Sequence, residues 1–298
     1  MSRLELVVTR RLRGLVQGEH QGLFPGAGSE PGDSRPYVPG DDVRLIDWNV
    51  TARTGEAHVR DPVADHELDL WLLVDVSASQ HFGTTSREKR EVVVGLAAAF
   101  GLPATRLANR VGAVVVGGGK VMVVRAAAGR TRLLALLHRL LITPAWEGEG
   151  RTDLAGALRQ LDGLARRRGV VVVISDLLSG PGWESALGRL GARHDLVVVE
   201  VVDPRELELP RMGVLTLVDP ETGRSRTVDT SQARLRAAFA RAATAQRASM
   251  AAAIARAGAH HLVVPTDADW LSEALVFFAR RRRRRSYRAT PRRAGGAR

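Results

Sequence analysis

An apolar run that ends abruptly in an acid and two hydroxyls is the stretch of this sequence best suited to chemistry. Leu70–Val74 has the length of a strand, and Asp75, Ser77 and Ser79 follow it at every second position. Ligands of open α/β sheets collect outside the carboxyl ends of the strands, so these side chains are expected to converge there. Donors that offer only oxygen suit a hard divalent cation such as magnesium. The alternative is a serine-rich turn between a strand and a helix.

Two later loops carry donors of the same kind. Thr152 lies just ahead of an apolar helical pattern, and Asp176 follows the β-branched run Val170–Ile174 by two positions. Each has a simpler explanation, Thr152 as a helix N-cap and Asp176 as the end of a strand. Taken together with the first loop, they point to one oxygen site. Mg²⁺ is the expected ion, with Mn²⁺ or Ca²⁺ also compatible. The predicted metal ligands are Asp75, Ser77, Ser79, Thr152 and Asp176.

Composition narrows the classes of function. The chain has 298 residues, 45% of them hydrophobic, which is enough for one large α/β domain or two smaller ones. It has no cysteine, which excludes disulfides, zinc–thiolate sites and thiol nucleophiles and fits a reducing compartment. The sequence shows neither a signal-peptide pattern nor an apolar run of about 20 residues, so we predict no transmembrane segment and a cytoplasmic location.

The formal net charge of +12 is concentrated at one end of the chain. Ten arginines and no acids lie between Arg280 and Arg298, which leaves the rest close to neutral. Such a run is typical of a solvated end, so a disordered tail is predicted over 281–298. Weak contact with RNA or an anionic surface through Arg280–Arg285 is one alternative function. Specific nucleic-acid recognition is not expected, because no basic platform interleaved with aromatic residues accompanies the run.

Strand and helix patterns alternate from about residue 70 to residue 280. They predict a domain over 67–280 with a doubly wound, mainly parallel α/β sheet and helices on both faces. Glycines at 117–119 predict one hairpin, and residues 205–230 an excursion hairpin. An N-terminal region, 1–66, precedes this domain, with a short helix within 1–18, an irregular segment over 22–50 and a strand near 56–62. Strands are predicted at 70–75, 111–116, 121–125, 170–175, 196–202 and 261–264, and helices at 87–109 (broken near 101–103), 131–142, 153–168, 183–192, 231–257 and 269–280.

The three loops resemble, in order, those of the metal-ion-dependent adhesion site of von Willebrand factor A domains. The resemblance implies that an Asp-x-Ser-x-Ser loop, a threonine and a closing aspartate surround one cation. Because few of these ligands carry charge, the cation stays electrophilic and keeps one coordination position open. A carboxylate from a partner would fill that position. The implied function is metal-dependent protein binding.

Residues 35–53 carry a second and longer resemblance. The string Arg-Pro-Tyr-Val-Pro-Gly-Asp-Asp-Val-Arg-Leu-Ile-Asp-Trp, followed by Thr51–Arg53, resembles the signature of the bacterial domain-of-unknown-function family 58. Members pair this signature with an A-type domain, and the resemblance extends from about Gly22 to Ala279. Many members carry two membrane helices before it, which this sequence lacks. The family implies partnership with a MoxR-type AAA+ ATPase in the assembly or maturation of an unidentified client protein.

The signature has two compatible interpretations. The favoured one is an internal clasp, in which Pro39–Gly40 sets a turn, the charges pair locally and Trp48 anchors the segment to the sheet. The other is a docking surface beside the metal. The candidate partner-binding residues are Arg35, Tyr37, Asp41, Asp42, Arg44, Asp47, Trp48 and Arg53.

A hydrolase is the competing class of function. A phosphatase of the aspartyl-phosphate type would use Asp75 as its nucleophile, but it needs a second acid two residues later, where Ser77 stands. The sequence has no Gly-x-Ser-x-Gly elbow. Lys120 follows three glycines but is not followed by Ser or Thr, as a phosphate loop requires. Binding without catalysis is therefore expected.

Overall fold

The computed structural model of the chain describes residues 34–60, 68–106, 109–142 and 151–289. The predictions for residues 1–33, for the loop at 143–150 and for the last part of the tail, 290–298, lie outside these ranges. The elements are β1 (Ser34–Pro36), α1 (Trp48–Thr54), β2 (His58–Arg60), β3 (Asp69–Asp75), α2 (Lys89–Arg106), β4 (Arg110–Gly117), β5 (Lys120–Ala127), α3 (Arg130–Ile142), α4 (Leu154–Leu164), β6 (Val170–Ser175), α5 (Trp183–Arg193), β7 (Asp195–Val202), β8 (Val214–Val218), β9 (Ser225–Asp229), α6 (Ala233–Arg256), β10 (His260–Pro265) and α7 (Trp270–Ala289).

Six strands form the central sheet in the order β10-β7-β6-β3-β4-β5. All neighbours pair in parallel except β4 and β5, which form an antiparallel hairpin. Gly118 and Gly119 turn this hairpin with φ of 52° and 71°, as the glycine-rich sequence predicts. After β3, the chain forms β4 and β5 on one side of β3 and then β6 on its other side. The order therefore reverses between β3 and β6, where α/β sheets bind ligands.

Alternate side chains of the buried strands pack into two separate hydrophobic cores, one on each face of the sheet. On β3, Leu70, Leu72 and Val74 pack on one face and Trp71 and Leu73 on the other. The first face is covered by α2, α3 and α7, and the second by α4, α5 and α6. Because both faces are buried, the strands read as continuous apolar runs, and the predicted doubly wound fold is confirmed.

Helix α2 corrects the prediction of a break near residues 101–103. The helix is continuous from Lys89 to Arg106 and contains Pro103 close to its end. Gly101 serves close packing, since a Cβ there would lie 2.8 Å from the Leu133 side chain of α3. Proline this near a C-terminus removes only one hydrogen bond of a helix that is held on its apolar side.

Helix α7 is longer than the predicted helix, which ended at Arg280. It continues to Ala289, so the disordered tail predicted from residue 281 is wrong over 281–289. Arginine is a good helix former, and a run of arginines extends a helix that is already anchored by Trp270 and Leu271. Arg281 is itself buried and forms an ion pair with Asp195 at the start of β7.

Two smaller parts stand beside the sheet. Antiparallel strands β8 and β9 form the predicted excursion hairpin, and β1 and β2 pair within residues 34–60. Within the ranges given above, the structure has no helix that is both long enough and apolar enough to span a membrane.

Candidate metal centre

The two predicted carboxylates end adjacent strands at the point where the sheet order reverses. Asp75 is the last residue of β3, and Asp176 follows the last residue of β6. These strands pair in parallel with Val74 opposite Ile174, which brings both acids to the same edge. Both side chains are almost completely buried, with exposed fractions of 1% for Asp75 and 4% for Asp176.

A chain of hydrogen bonds joins the two acids through the predicted serines. The Ser77 amide donates to Asp75 Oδ1 (2.9 Å), the Ser77 and Ser79 hydroxyls lie 2.9 Å apart, and Ser79 Oγ donates to Asp176 Oδ2 (2.7 Å). A 3-10 turn over Ala78–His81 bends the chain so that both serines face the acids. Four of the five predicted ligands therefore share one network.

Thr152, the fifth predicted ligand, is not a member of this network. Its side chain is buried, but its hydroxyl has no hydrogen-bond partner within the described part of the chain. Its amide donates to Glu221 Oε2 (3.1 Å) in the turn of the β8–β9 hairpin. The N-cap of α4 is Asp153, whose side chain accepts from the Gly156 amide, so the simpler explanation of Thr152 as the cap is wrong. A buried hydroxyl without a partner is costly, and a cation ligand role would remove that cost.

Ser175 is a site residue that the sequence prediction missed. Its hydroxyl donates to Asp75 Oδ2 (2.5 Å) and accepts from the Leu177 amide (3.0 Å). Leu177 has a φ of 59°, a strained conformation for a leucine, and it is the one such non-glycine residue in the described ranges. The strained turn lets the Leu178 amide reach Asp176 Oδ1 (3.1 Å). The signal in the sequence was a hydroxyl at the end of an otherwise aliphatic strand.

Lys89 is the second residue that was missed, and it changes the electrostatics of the site. Its ammonium lies 2.7 Å from Asp176 Oδ2 and 2.6 Å from Glu206 Oε1, and the side chain has no exposed surface. Burial alone would lower the pKa of Lys89, but the charges of Asp176 and Glu206 outweigh burial and raise it. In the sequence Lys89 belongs to a charged run, but Val92, Val93 and Leu96 follow it at helical spacing on the buried face.

The donor set fits a hard divalent cation. Burial, followed by the nearby charge of Asp176, raises the pKa of Asp75 to about 7. A cation next to both carboxylates would offset this repulsion, and the Thr152 hydroxyl would gain a partner. Within the ranges described, no three His, Cys, Asp or Glu side chains cluster as metal ligands. A site of two carboxylates, three hydroxyls and water still gives the oxygen shell of about six that Mg²⁺ takes.

Sequence comparison places the chain in a family. The profile of the family described as "Protein of unknown function DUF58" matches residues 33–249. The chain belongs to the DUF58 family. An uncharacterized protein of Mycobacterium tuberculosis is 46% identical over 280 residues, which cover 94% of this chain and 88% of the relative. An uncharacterized protein of Mycobacterium avium is 42% identical over 160 residues, covering 54% of this chain and 94% of the relative.

Solved structures give matches of lower similarity. An aerotolerance-related membrane protein from Bacteroides fragilis is 13% identical, with a TM-score of 0.49, covering 73% of this chain and 99% of that one. The VWA domain of SpRpn10 is 14% identical, with a TM-score of 0.36, covering 70% of this chain and 93% of that one. The sheet order and the reversal point described above show that this DUF58 chain has a doubly wound α/β fold.

Residues 34–60 contain the DUF58 signature and are called the signature segment below. Acidic side chains of this segment stabilise its local structure. Arg35 and Asp41 form a two-pronged ion pair, with both N–O distances 2.7 Å, as the clasp interpretation predicts. Asp41 also accepts from the Val38 amide, and these contacts, the Arg35 hydrogen bond first, lower the pKa of Asp41 to about 2. Asp42 and Asp47 cap the short helices that follow them, with Asp42 accepting from the Arg44 amide and Asp47 from the Asn49 and Val50 amides.

Trp48 contradicts the predicted anchoring of this segment to the sheet. Its side chain is 71% exposed, and Val38 and Val43 are also exposed. Tryptophan is the first residue of α1, one position after the Asp47 cap, where its side chain points away from the segment's own packing. Tyr37 is half-buried, and Arg44 and Arg53 are exposed.

Proposed function

We propose that this DUF58 protein is a metal-dependent protein-interaction module. Asp75, Ser77, Ser79, Thr152 and Asp176 would hold one divalent cation, with Mg²⁺ the first candidate. When bound, the cation supplies an open coordination position for a carboxylate of a partner protein. The observation that carries the proposal is the hydrogen-bonded chain from Asp75 to Asp176 at the reversal point of the sheet.

The rest of the site keeps these ligands in place. Ser175 orients the carboxylate of Asp75, and the Leu178 amide orients that of Asp176. Glu221 holds the loop of Thr152 from the tip of the β8–β9 hairpin. A site whose ligands are already fixed by hydrogen bonds loses little freedom when a cation and a partner bind.

The proposed partners are a MoxR-type AAA+ ATPase and a client protein that presents an exposed Asp or Glu. Family membership supports the ATPase, and the chemistry of the site supports the acid. A cavity of about 250 Å³ adjoins Asp176, and Leu178 lies exposed at its edge. This recess would give a partner's segment space beside Asp176.

The same geometry supports binding without catalysis. An aspartyl-phosphate mechanism through Asp75 would need an acid at position 77, but the hydroxyl of Ser77 is engaged with that of Ser79. We therefore expect no metal-dependent release of p-nitrophenol from p-nitrophenyl phosphate by the purified protein. Release that Asp75→Asn abolishes would replace the proposal with a hydrolase.

Thermal unfolding with and without metal tests the site itself. After chelation with EDTA, addition of Mg²⁺ or Mn²⁺ should raise the melting temperature of the wild type, since a ligand of the folded state adds about 2.7 kcal/mol at a hundredfold excess over Kd. Asp75→Ala should remove this rise. Asp267→Ala is the matched control, because it deletes an exposed carboxylate just after β10 at the same edge of the sheet and should keep the rise.

The outcome also directs the search for partners. An equal rise in wild type and Asp75→Ala, or none in either, would contradict the proposed site. If the rise is specific to Asp75, a purified MoxR-type ATPase should be retained by the wild type with Mg²⁺ and released by EDTA.

A further inference from the structure

Lys89 is a buried cation placed inside a site that we propose for another cation. It is the first residue of α2, and its side chain is one of the largest fully buried side chains in the described ranges. Its ammonium contacts Asp176, the residue after β6, and Glu206 from the 3-10 turn after β7. A purely structural role would explain why a buried lysine forms ion pairs. It would not explain why one of its partners, Asp176, is also a candidate metal ligand.

The decisive detail is which oxygen of Asp176 the lysine contacts. Asp176 Oδ2 accepts from Ser79 Oγ and from Lys89 Nζ, both at 2.7 Å. The other oxygen, Oδ1, accepts from the Leu178 amide. The oxygen that faces the serines is therefore already paired with an ammonium that it shares with Glu206, and a divalent cation would compete with that ammonium.

We propose that Lys89 is an internal counter-cation that keeps the affinity of this site for divalent metal low. This inference rests on the proposed metal function and adds the residue that sets its strength. Repulsion between an ammonium and a divalent cation is little screened where water is excluded, so it opposes metal binding strongly. Glu206 shares the ammonium with Asp176, and its contribution determines how fully Lys89 neutralises the site.

The test measures metal affinity directly, by calorimetric titration of Mn²⁺ and Mg²⁺ into chelated protein. Lys89→Met keeps the length and apolar stem of the side chain but removes its charge, and it should tighten the Kd for Mn²⁺ by tenfold or more. Lys89→Arg keeps the charge and is the matched control, with a Kd within threefold of the wild type. Lys89→Met should also melt at a lower temperature without metal and show a larger rise with metal.

A second substitution keeps the inference testable if Lys89→Met does not fold. Glu206→Gln has the same shape, leaves the ammonium to Asp176 alone and should weaken Mn²⁺ binding by threefold or more. An unchanged or tighter Kd for Mn²⁺ in Glu206→Gln would show that Glu206 does not draw the ammonium away from Asp176 and would overturn the inference.

The outcomes separate this inference from the function on which it rests. If the wild type binds metal through Asp75 but Lys89→Met binds it no more tightly, Lys89 is only a brace and the inference is wrong. If neither protein binds Mn²⁺ or Mg²⁺, the proposed metal function fails as well. If only Lys89→Met binds, and Asp75→Ala abolishes that binding, the role of Lys89 is supported but the proposed metal function of the wild type fails.

Discussion

Asp75 at the edge of the sheet and Asp41 in the signature segment lie in opposite surroundings. Asp75 is buried beside a second acid, which raises its pKa to about 7. Asp41 lies near the surface, where Arg35 and the Val38 amide lower its pKa to about 2. The same type of side chain is paired with an arginine in one region and is buried among neutral hydrogen-bond donors in the other.

The two regions also differ in how their sequences encode them. The signature segment folds on itself, so each turn and cap needs its own residue within a few positions, and the motif is long and distinctive. The metal-site candidates Asp75 and Asp176 lie on different strands and are brought together by the register of β3 and β6. A site built by the sheet needs only one or two residues in each loop. Its motif is therefore short, although its packing is the more constrained.

The largest expected effect compares one tryptophan in each region. Trp183 packs in the second core with 4% of its surface exposed, whereas Trp48 is 71% exposed. Trp183→Ala should lower the free energy of unfolding by about 3–5 kcal/mol, and Trp48→Ala by less than about 0.5 kcal/mol. Urea unfolding followed by circular dichroism measures both. A loss of more than about 2 kcal/mol in Trp48→Ala would mean that this residue is packed in solution, and the comparison would fail.

A smaller effect is expected when Asp176 is removed without metal. Asp176→Ala leaves Lys89 buried with Glu206 as its remaining ion partner, and removing one member of a buried ion pair costs about 3 kcal/mol. Urea unfolding in EDTA gives the change in free energy. Asp267→Ala serves again as the exposed control, with a change below about 0.5 kcal/mol. An Asp176→Ala protein as stable as this control would show that the lysine network does not hold the loops.

Sequence patterns were sufficient for the fold and for most of the candidate site. The central strands are recognisable because both faces of the sheet are covered, and Asp75, Ser77, Ser79 and Asp176 follow from where those strands end. Lys89 was missed because its ion partners lie 87 and 117 residues away, at positions that only the sheet brings together. The contact between Thr152 and Glu221 depends on the path of the β8–β9 hairpin, which no local pattern encodes.

The role of Trp48 as an anchor to the sheet was misjudged for a different reason. A tryptophan inside a charged motif predicts a residue that anchors the segment to the sheet, since tryptophan side chains are mostly buried in folded proteins. The acids around Trp48 cap backbone amides within the segment, so its short elements form without that anchor. Exposed Trp48, Val38 and Val43 are instead available on the surface of this region.

The smallest expected effect is a local one at Asp41, and it depends on pH. The carboxylate has a lower pKa in the folded protein than its ordinary value of 3.8, so its stabilising contacts are complete above about pH 4 and are lost as the pH falls through about 2. The chemical shifts of the Asp41 carboxyl carbon and the Val38 amide, followed from pH 6 downward, should report this titration.

Arg35→Gln should raise the midpoint of the Asp41 titration only part of the way to 3.8, because the Val38 amide still donates to Asp41. Unfolding of the sheet at neutral pH should be unchanged by Arg35→Gln, since the ion pair is partly exposed to solvent. A wild-type midpoint near 3.8 would show that the clasp does not form in solution. The signature segment and the buried acids of the sheet would then differ in structural order as well as in charge.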